Sequence, residues 1–519
     1  MLYLDANQRW SMELIDSIMQ KIEEINNEKY QFDIYTNQVE IITYEGMLNA
    51  YSNMGGLPIL YPHWSFGELF VRNYENYKGG HMGLALEIVL NTDPALVYCM
   101  EDNSAVAQAL VMAHAGIGHN SLYKCNYLFQ QWTDADVIVD YLIYARNFVI
   151  ECEKLYGIKE VEKMLDAAHA LQWNGLDKYK RPPKLSADAE KERREEREKY
   201  RQSQVNELWR TLKFRKSKTN GKTDADEEPF PKEPQENILK FLEEHAPLLK
   251  DWQREIIRIV RKISQYFYSQ LQSKLIHEGF ATYVHYKFMH DLYDRGHISD
   301  GGMIEFYVLH ASVIRQPDYK HSDHINVYAL GFAMFNDIER ISMNPTDEDR
   351  EWFGNQEWVG NGDWLKNIKW IRDNFKDESF VRQFLSPKVI RDFRMFVVTD
   401  DDAVSTEYIT VTGIHNENGY KKVRNKLADK FNINSVLPDI QIVDVDILND
   451  RSMSLEHVVY NSRPLHGPSA QKTLDYLAYL WKYPVVLSSV NQNTDEILDE
   501  WESNMDSDVE LDDFNLSDL

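Results

Sequence analysis

The sequence predicts a mainly α large domain followed by a small C-terminal α+β domain. Three observations carry this. Apolar residues recur at three- and four-residue intervals through most of the chain before Phe393, the texture changes to short β-branched runs after it, and a charged stretch almost devoid of apolar residues interrupts the helical part. Residues 1–182 and 235–392 are accordingly assigned to two parts of one helical domain, 183–234 to an inserted charged linker, 393–490 to the α+β domain and 491–519 to an acidic tail.

The first segment, ANQRWSMELIDSIMQKIEEIN, places Trp10, Leu14, Ile18, Ile22 and Ile25 on one helical face. A loop-rich stretch, GGLPILYPHWSFGELF, is punctuated by Gly55, Gly56, Pro58 and Pro62. A helical run from Asp102 through Phe129 follows, then a helix that starts behind Thr133 as N-cap and stops at Gly157. Within the linker, KLSADAEKERREEREKYRQSQ has the Glu, Lys and Arg mixture of a solvated helix, and KSKTNGKTDADEEPFPKEP reads as a polar loop. Helical patterning resumes at Gln235 and runs nearly unbroken to Gly296. In the last part MFVVT, STEYITVTGI, IQIVDVDIL and EHVVY are strand candidates, separated by the helical stretches GYKKVRNKLADKFNI and SAQKTLDYLAYLW. The tail DEILDEWESNMDSDVELDDFNLSDL is too acidic for a conventional core; it is expected to fray, or to dock on a basic partner through Trp501 and Phe514.

Composition narrows the function classes. Hydrophobic residues make up 43% and aromatic residues 12%, enough for globular folding beside 27% charged residues. Cys99, Cys125 and Cys152 are odd in number and lack CxxC spacing, which points away from a disulfide framework or a thiolate zinc site and toward a reducing, cytoplasmic setting. The opening MLYLDANQRWSMELID has no basic start and no apolar run, so a secretory leader is not expected, and no apolar stretch is long enough to span a membrane. A net charge of -26 argues against nucleic-acid binding, which draws on clustered Lys and Arg.

The histidines carry the chemistry, because they cluster in two helical segments far apart in sequence. In ALVMAHAGIGHNSLYKCNYLF, His114 and His119 are five apart. A regular α-helix points such residues about 140° apart, so a π-bulge or break at Gly116 and Gly118 is needed to bring both imidazoles to one ion. In SKLIHEGFATYVHYKFMH, Glu278, Thr282 and His285 share one face and His277 lies off it. An acid in an apolar helix is costly to bury unpaired, so Glu278 should reach solvent or meet a cation, a donor or a metal. His114, His119, Glu278 and His285 together make an N,N,O,N donor set for a divalent ion, zinc foremost. Glu101 and Thr282 are the candidates for catalytic groups. His63 beside Trp64 and Phe66, and Glu305 with His310 on a further helix, are candidates to line the site or to hydrogen-bond the ligating imidazoles, as is His277.

The strings YPHWSFG, MEDNS, AHAGIGHNS, DWQREIIRIVRKISQYF, EGFATYVHY and ALGFAMFNDIER resemble, in order, the signatures of SpoVR-like proteins from roughly Asn37 to Pro468. That family is linked to spore cortex formation, yet its relatives occur in bacteria that never sporulate and in phages, so the resemblance names no substrate. Where the family typically has Asn before the Glu-Gly pair, this chain has His277, which favours Glu278 and His285 over His277 as ligands. HEGFA is also similar to the glutamate helix of gluzincin metallopeptidases, in which the Glu is the third zinc ligand and two His come from an upstream helix. That similarity implies gluzincin-like helices around the His/Glu cluster and maps those roles onto Glu278, His114 and His119. It departs at Ala115, where gluzincins carry the general-base Glu, and in the longer His spacing.

Two functions are expected from these readings. One is a metal-dependent hydrolase acting on a peptide or cell-wall-related substrate. The other is a regulatory or scaffolding protein whose cluster is structural and whose α+β domain and tail engage a protein partner, such as a kinase or a cell-wall hydrolase.

Overall fold

Ser11 caps the first helix, Met12–Ile25, by accepting the Leu14 amide, and the helix buries Ile15, Ile18, Ile22 and Ile25. These side chains enter a large hydrophobic core shared with the histidine segment, the helix Lys274–Asp294 and the helix Val327–Met343. The computed structural model in which this is seen describes residues 2–53, 57, 59–79, 86–179, 230–316, 325–395, 417–460, 463–492, 494 and 496–504. A second core joins the helices Ile138–Tyr156, Ile158–Ala170, Ile238–His245 and Asp251–Leu271 to the C-terminal sheet and its helix Gly467–Trp481. Among the described residues no helix is long and apolar enough to cross a membrane.

The helix Lys274–Asp294 is buried on most of its surface, as a central element must be. Small residues let its neighbours approach. A Cβ placed on Gly279 would lie 2.3 Å from the Cα of Gly331, and one on Gly118 would lie 2.6 Å from the Cα of Ala281. Glycine at these positions therefore brings three backbones together where a larger residue would hold them apart.

The C-terminal sheet is ordered Asp439–Val445, Met453–Val459, Val485–Asn491, Ile497–Glu502, with antiparallel outer pairs and a parallel central pair. Its inward residues Ile442, Leu455 and Leu487 join the second core. Two of the expected strands thus form, while MFVVT beyond Met395 and all of STEYITVTGI lie outside the described residues. The expected helix in GYKKVRNKLADKFNI forms as Glu417–Lys430, but Tyr420, Val423 and Leu427 pack on the first core rather than on the sheet.

Four expectations need correction or a change of scope. The first half is not purely helical: Asn37–Ile42, Glu87–Val89 and Ala95–Met100 make a three-stranded sheet with the last in the centre. Thr133 ends the short helix Tyr127–Trp132, and the next one begins only at Ile138 because a turn intervenes. The acidic tail does not fray throughout, since Ile497–Glu502 pairs with Val485–Asn491 and Trp501 packs on the second core. Backbone pairing to an edge strand needs no apolar side chains, which explains how so acidic a segment is held. Most of the linker, residues 183–229, and the end of the tail with Phe514 lie outside the described residues.

Candidate metal centre

Residues Met112–His119 form a π-helical turn continuing the helix Ala105–Val111, which Ser104 caps. The Asn120 amide reaches back to the Ala115 carbonyl, five residues away. Since His114 and His119 are also five apart, the turn brings both to one side, with ring centroids 4.6 Å apart. Asn37 fastens the turn by donating to the Gly116 carbonyl at 3.1 Å. Close packing of Gly118 on Ala281 then sets both imidazoles against Glu278.

Glu278 Oε2 lies 3.5 Å from His119 Nε2 and 3.7 Å from His114 Nε2. One donor atom from each of the three residues falls within 4.8 Å of the others. Oε2 is buried and has no hydrogen-bond partner. These separations are long for hydrogen bonds but close to the roughly 3.4 Å edge of a tetrahedron drawn with bonds of about 2.0–2.1 Å. The residues present therefore fit a divalent ion.

His285, expected as a further donor, lies outside the group of three. Its Nδ1 is 3.0 Å from Nδ1 of His114, and its Nε2 is 2.8 Å from Nδ1 of His310. Both nitrogens of His285 are thus engaged by imidazoles, so it stands behind His114, and His310 stands behind it in turn. Burial pushes the His285 imidazole well below its ordinary range, helped by His114 and His310, and takes His310 to about 4. His119 is likewise held far down by burial and by His277 and His114. These three are neutral near pH 7. Burial opposes the charge of Glu278, but His114, His119 and the Tyr328 hydroxyl outweigh it and hold the carboxyl below its usual value. For His114 burial acts downward, and Glu278 and Glu87 more than offset it.

The cluster opens on a cavity of about 720 Å³ lined by Glu87, His119, His277, Glu278 and Tyr328, with Tyr123, Trp173 and Phe267 among its apolar walls. Glu87 and Tyr328 are absent from the sequence-based set. Glu87 Oε1 is 3.7 Å from His114 Nε2, and burial with the nearby Glu278 charge raises its pKa. The sequence held a signal for it, an acid inside the apolar run LALEIVL, of the kind that singled out Glu278. Tyr328 stacks at 6.4 Å on His114 and directly precedes the ALGFAMFNDIER string.

Several other expected residues are placed elsewhere. Glu101 is exposed on a turn, fixed by its carbonyl accepting the Trp10 indole, so its carboxyl does not enter the buried cluster. His63 caps the helix Trp64–Lys78 and pairs with Asp166 at 3.0 Å beside His169, where its neighbours Tyr61 and Phe66 belong to the second core. Glu305 accepts from the Asn7 amide and the Ser104 hydroxyl, tying the N-terminal segment to the helix Asp300–Val313. Thr282 is fully buried one turn beyond Glu278, with its hydroxyl unpartnered. His277 lines the cavity with its ring 4.2 Å from that of His119.

Comparison with known proteins decides the family. The family described as "SpoVR like protein" matches residues 9–436, and "SpoVR-like C-terminal domain" matches residues 438–492. The chain belongs to the SpoVR family. It is similar to "Uncharacterized protein YcgB" of Escherichia coli (strain K12), 48% identical over 486 residues that cover 93% of each chain. No solved structure matches. The first SpoVR match contains every residue of the cluster, the His114–His285–His310 series and the cavity wall.

Proposed function

We propose that the protein is a metal-dependent hydrolase, with His114, His119 and Glu278 holding a divalent ion, zinc foremost. The observation that supports this best is the buried, unpartnered Glu278 Oε2 between two imidazole nitrogens, facing a cavity of ligand size. Two His and one Glu are a donor set known from catalytic zinc sites, which keep a position open for water or substrate. An ion there would supply Lewis acidity and bring the pKa of a bound water toward neutrality.

The chain's own groups divide the remaining work. Glu87, with its pKa raised and its carboxyl at the cavity wall, suits the proton-accepting role that Ala115 cannot fill. Tyr328 offers a hydroxyl beside Glu278, either to orient that carboxylate or to donate to a substrate oxygen. His285 and His310 hold the orientation of His114. The gluzincin-like reading is supported by the pairing of an upstream His segment with a later Glu helix, and modified by the move of the base to Glu87.

The test is metal content of untagged protein by elemental analysis, together with release of amine from a panel of peptides and N-acyl amino acids. About one ion per chain and turnover lost in Glu278→Gln are expected. Protein that binds no divalent ion with useful affinity would end this reading. A second reading, a scaffold for a kinase or cell-wall hydrolase, draws on the exposed apolar row Ile304, Tyr307 and Val308 on the helix Asp300–Val313.

A further inference from the structure

The cavity beside Glu278 contains two polar groups that the protein itself leaves unused. His277 is 7% exposed, and its Nε2 is buried without a hydrogen-bond partner. A buried acceptor left unpaired is costly, and a ligand N–H would satisfy it. Lys274 is exposed and, among the described residues, is the one lysine or arginine lining the cavity, with no hydrogen bond or ion pair engaging its ammonium. Lys274 and Glu278 are four apart on one helix, so the cation stands one turn from the cluster on the same face. Trp173, Phe267 and Leu271 make the surrounding wall apolar.

We propose that the cavity takes a peptide or N-acyl amino acid by its C-terminal carboxylate. Lys274 binds the carboxylate, His277 accepts the adjoining amide N–H, and the carbonyl of that amide faces His114, His119 and Glu278. The proposal rests on the hydrolase reading and supplies its substrate class. Helical rise sets the backbone of His277 about 4.5 Å, and that of Glu278 about 6 Å, beyond Lys274. The carboxylate, N–H and preceding carbonyl of a peptide's last residue follow one another over a comparable stretch. Hydrolysis of that amide consumes one water: the C–N bond breaks, a C–O bond forms, and the leaving nitrogen takes a proton, giving a carboxylic acid and an amino acid.

Phosphate fits this lining less well. A dianion would meet one lysine and two carboxylates, Glu87 and Glu278. The amides that open a helix and often bind phosphate are already in use, since those of Leu275 and Ile276 each donate to Asp377 at 2.8 Å.

The experiment is calorimetric titration of the full chain, after chelator treatment, with N-acetylphenylalanine, its neutral amide and phenylalaninamide. The carboxylate should bind about tenfold more tightly than either of the others, the value of one charge-assisted hydrogen bond. Lys274→Gln should erase that preference and Lys274→Arg keep it, with the metal content of both unchanged. Equal affinities, a preference that survives Lys274→Gln, or no binding of any probe would overturn the proposal. A Lys274-dependent preference in a chain that never binds metal would defeat the hydrolase reading while leaving the carboxylate site in place.

Discussion

His285 stands behind His114, its Nδ1 3.0 Å from the Nδ1 of that imidazole and its Nε2 2.8 Å from His310. A hydrogen bond between two imidazoles needs one donor and one acceptor, so the state of His114 dictates that of the whole series. If Nε2 of His114 gives its lone pair to an ion, Nδ1 carries the proton and donates to His285, whose Nε2–H then donates to His310.

This arrangement separates ligand from support. His114→Ala removes a donor atom and should abolish stoichiometric metal, whereas His285→Ala should leave a site whose affinity falls about 10- to 100-fold, the usual effect of losing an outer partner. Competition with a chromophoric chelator measures both. Equal loss in the two variants would return His285 to the ligand set.

The glycine contacts make a second prediction. In Gly118→Ala the new methyl would sit 2.6 Å from the Ala281 Cα, and backbone cannot yield as a flexible side chain does. Destabilisation of about 1–3 kcal/mol is expected from such overpacking, together with weaker metal binding as the two segments part. Gly67, inside the helix Trp64–Lys78, has nothing within 4 Å of a built Cβ, so Gly67→Ala should stabilise by about 0.5–1 kcal/mol through helix propensity. Denaturant midpoints of the two variants should move in opposite directions.

Parts of this centre were legible in the sequence because the signals were local. A five-residue spacing of His114 and His119 around glycines required a departure from α-helical geometry, and the hydrogen-bond period of the π-turn equals that spacing. An acid in an apolar helix required a cation, a donor or a metal nearby, and Glu278 Oε2 faces two imidazole nitrogens at 3.5 and 3.7 Å. What a shared helix face cannot tell is which layer each residue meets: Glu278 and His285 lie on one face, yet one faces His119 and the cavity while the other is fully buried behind His114. Glu87 carried only the signal of an acid in a short apolar run. Its strand has three residues and pairs across the sheet, so no periodicity of its own announced it. For Glu101 and Glu305, charge gave chemistry but not location, which is set by partners nearly a hundred or more residues away.

Asp377 gives a dependence on pH. It is 2% exposed and accepts the Leu275 and Ile276 amides at the start of the glutamate helix. Burial pushes its carboxyl up to about 7, against the pull of those amides and with a contribution from Glu278. An unfolded Asp titrates near pH 3.9, so between roughly pH 4 and 7 the folded chain holds the extra proton. The contribution of Asp377 to stability is therefore full below the unfolded pKa and is lost as pH rises through about 7. Asp377→Asn keeps an acceptor and removes the titration, so its urea midpoint should fall less than that of the parent between about pH 5 and pH 8. Parallel profiles would show that Asp377 is ionised in the folded chain throughout.

Glu87 and Glu278 provide the sharpest division of roles, because both carboxylates approach His114 Nε2 to 3.7 Å while their acidities are pushed in opposite directions. Glu278 is held low by two imidazoles, as suits a permanent anion that retains a cation. Glu87 is raised by burial, as suits a group that takes up and gives back a proton. Glu278→Gln should strip the metal, since the amide keeps shape and removes the anionic donor. Glu87→Gln should keep one ion per chain while lowering kcat by about 10²- to 10⁴-fold with KM little changed, the range for loss of a general base. Metal content and steady-state kinetics on the same preparations decide it: loss of metal in Glu87→Gln would make Glu87 a fourth ligand, and unchanged kcat would remove it from the reaction.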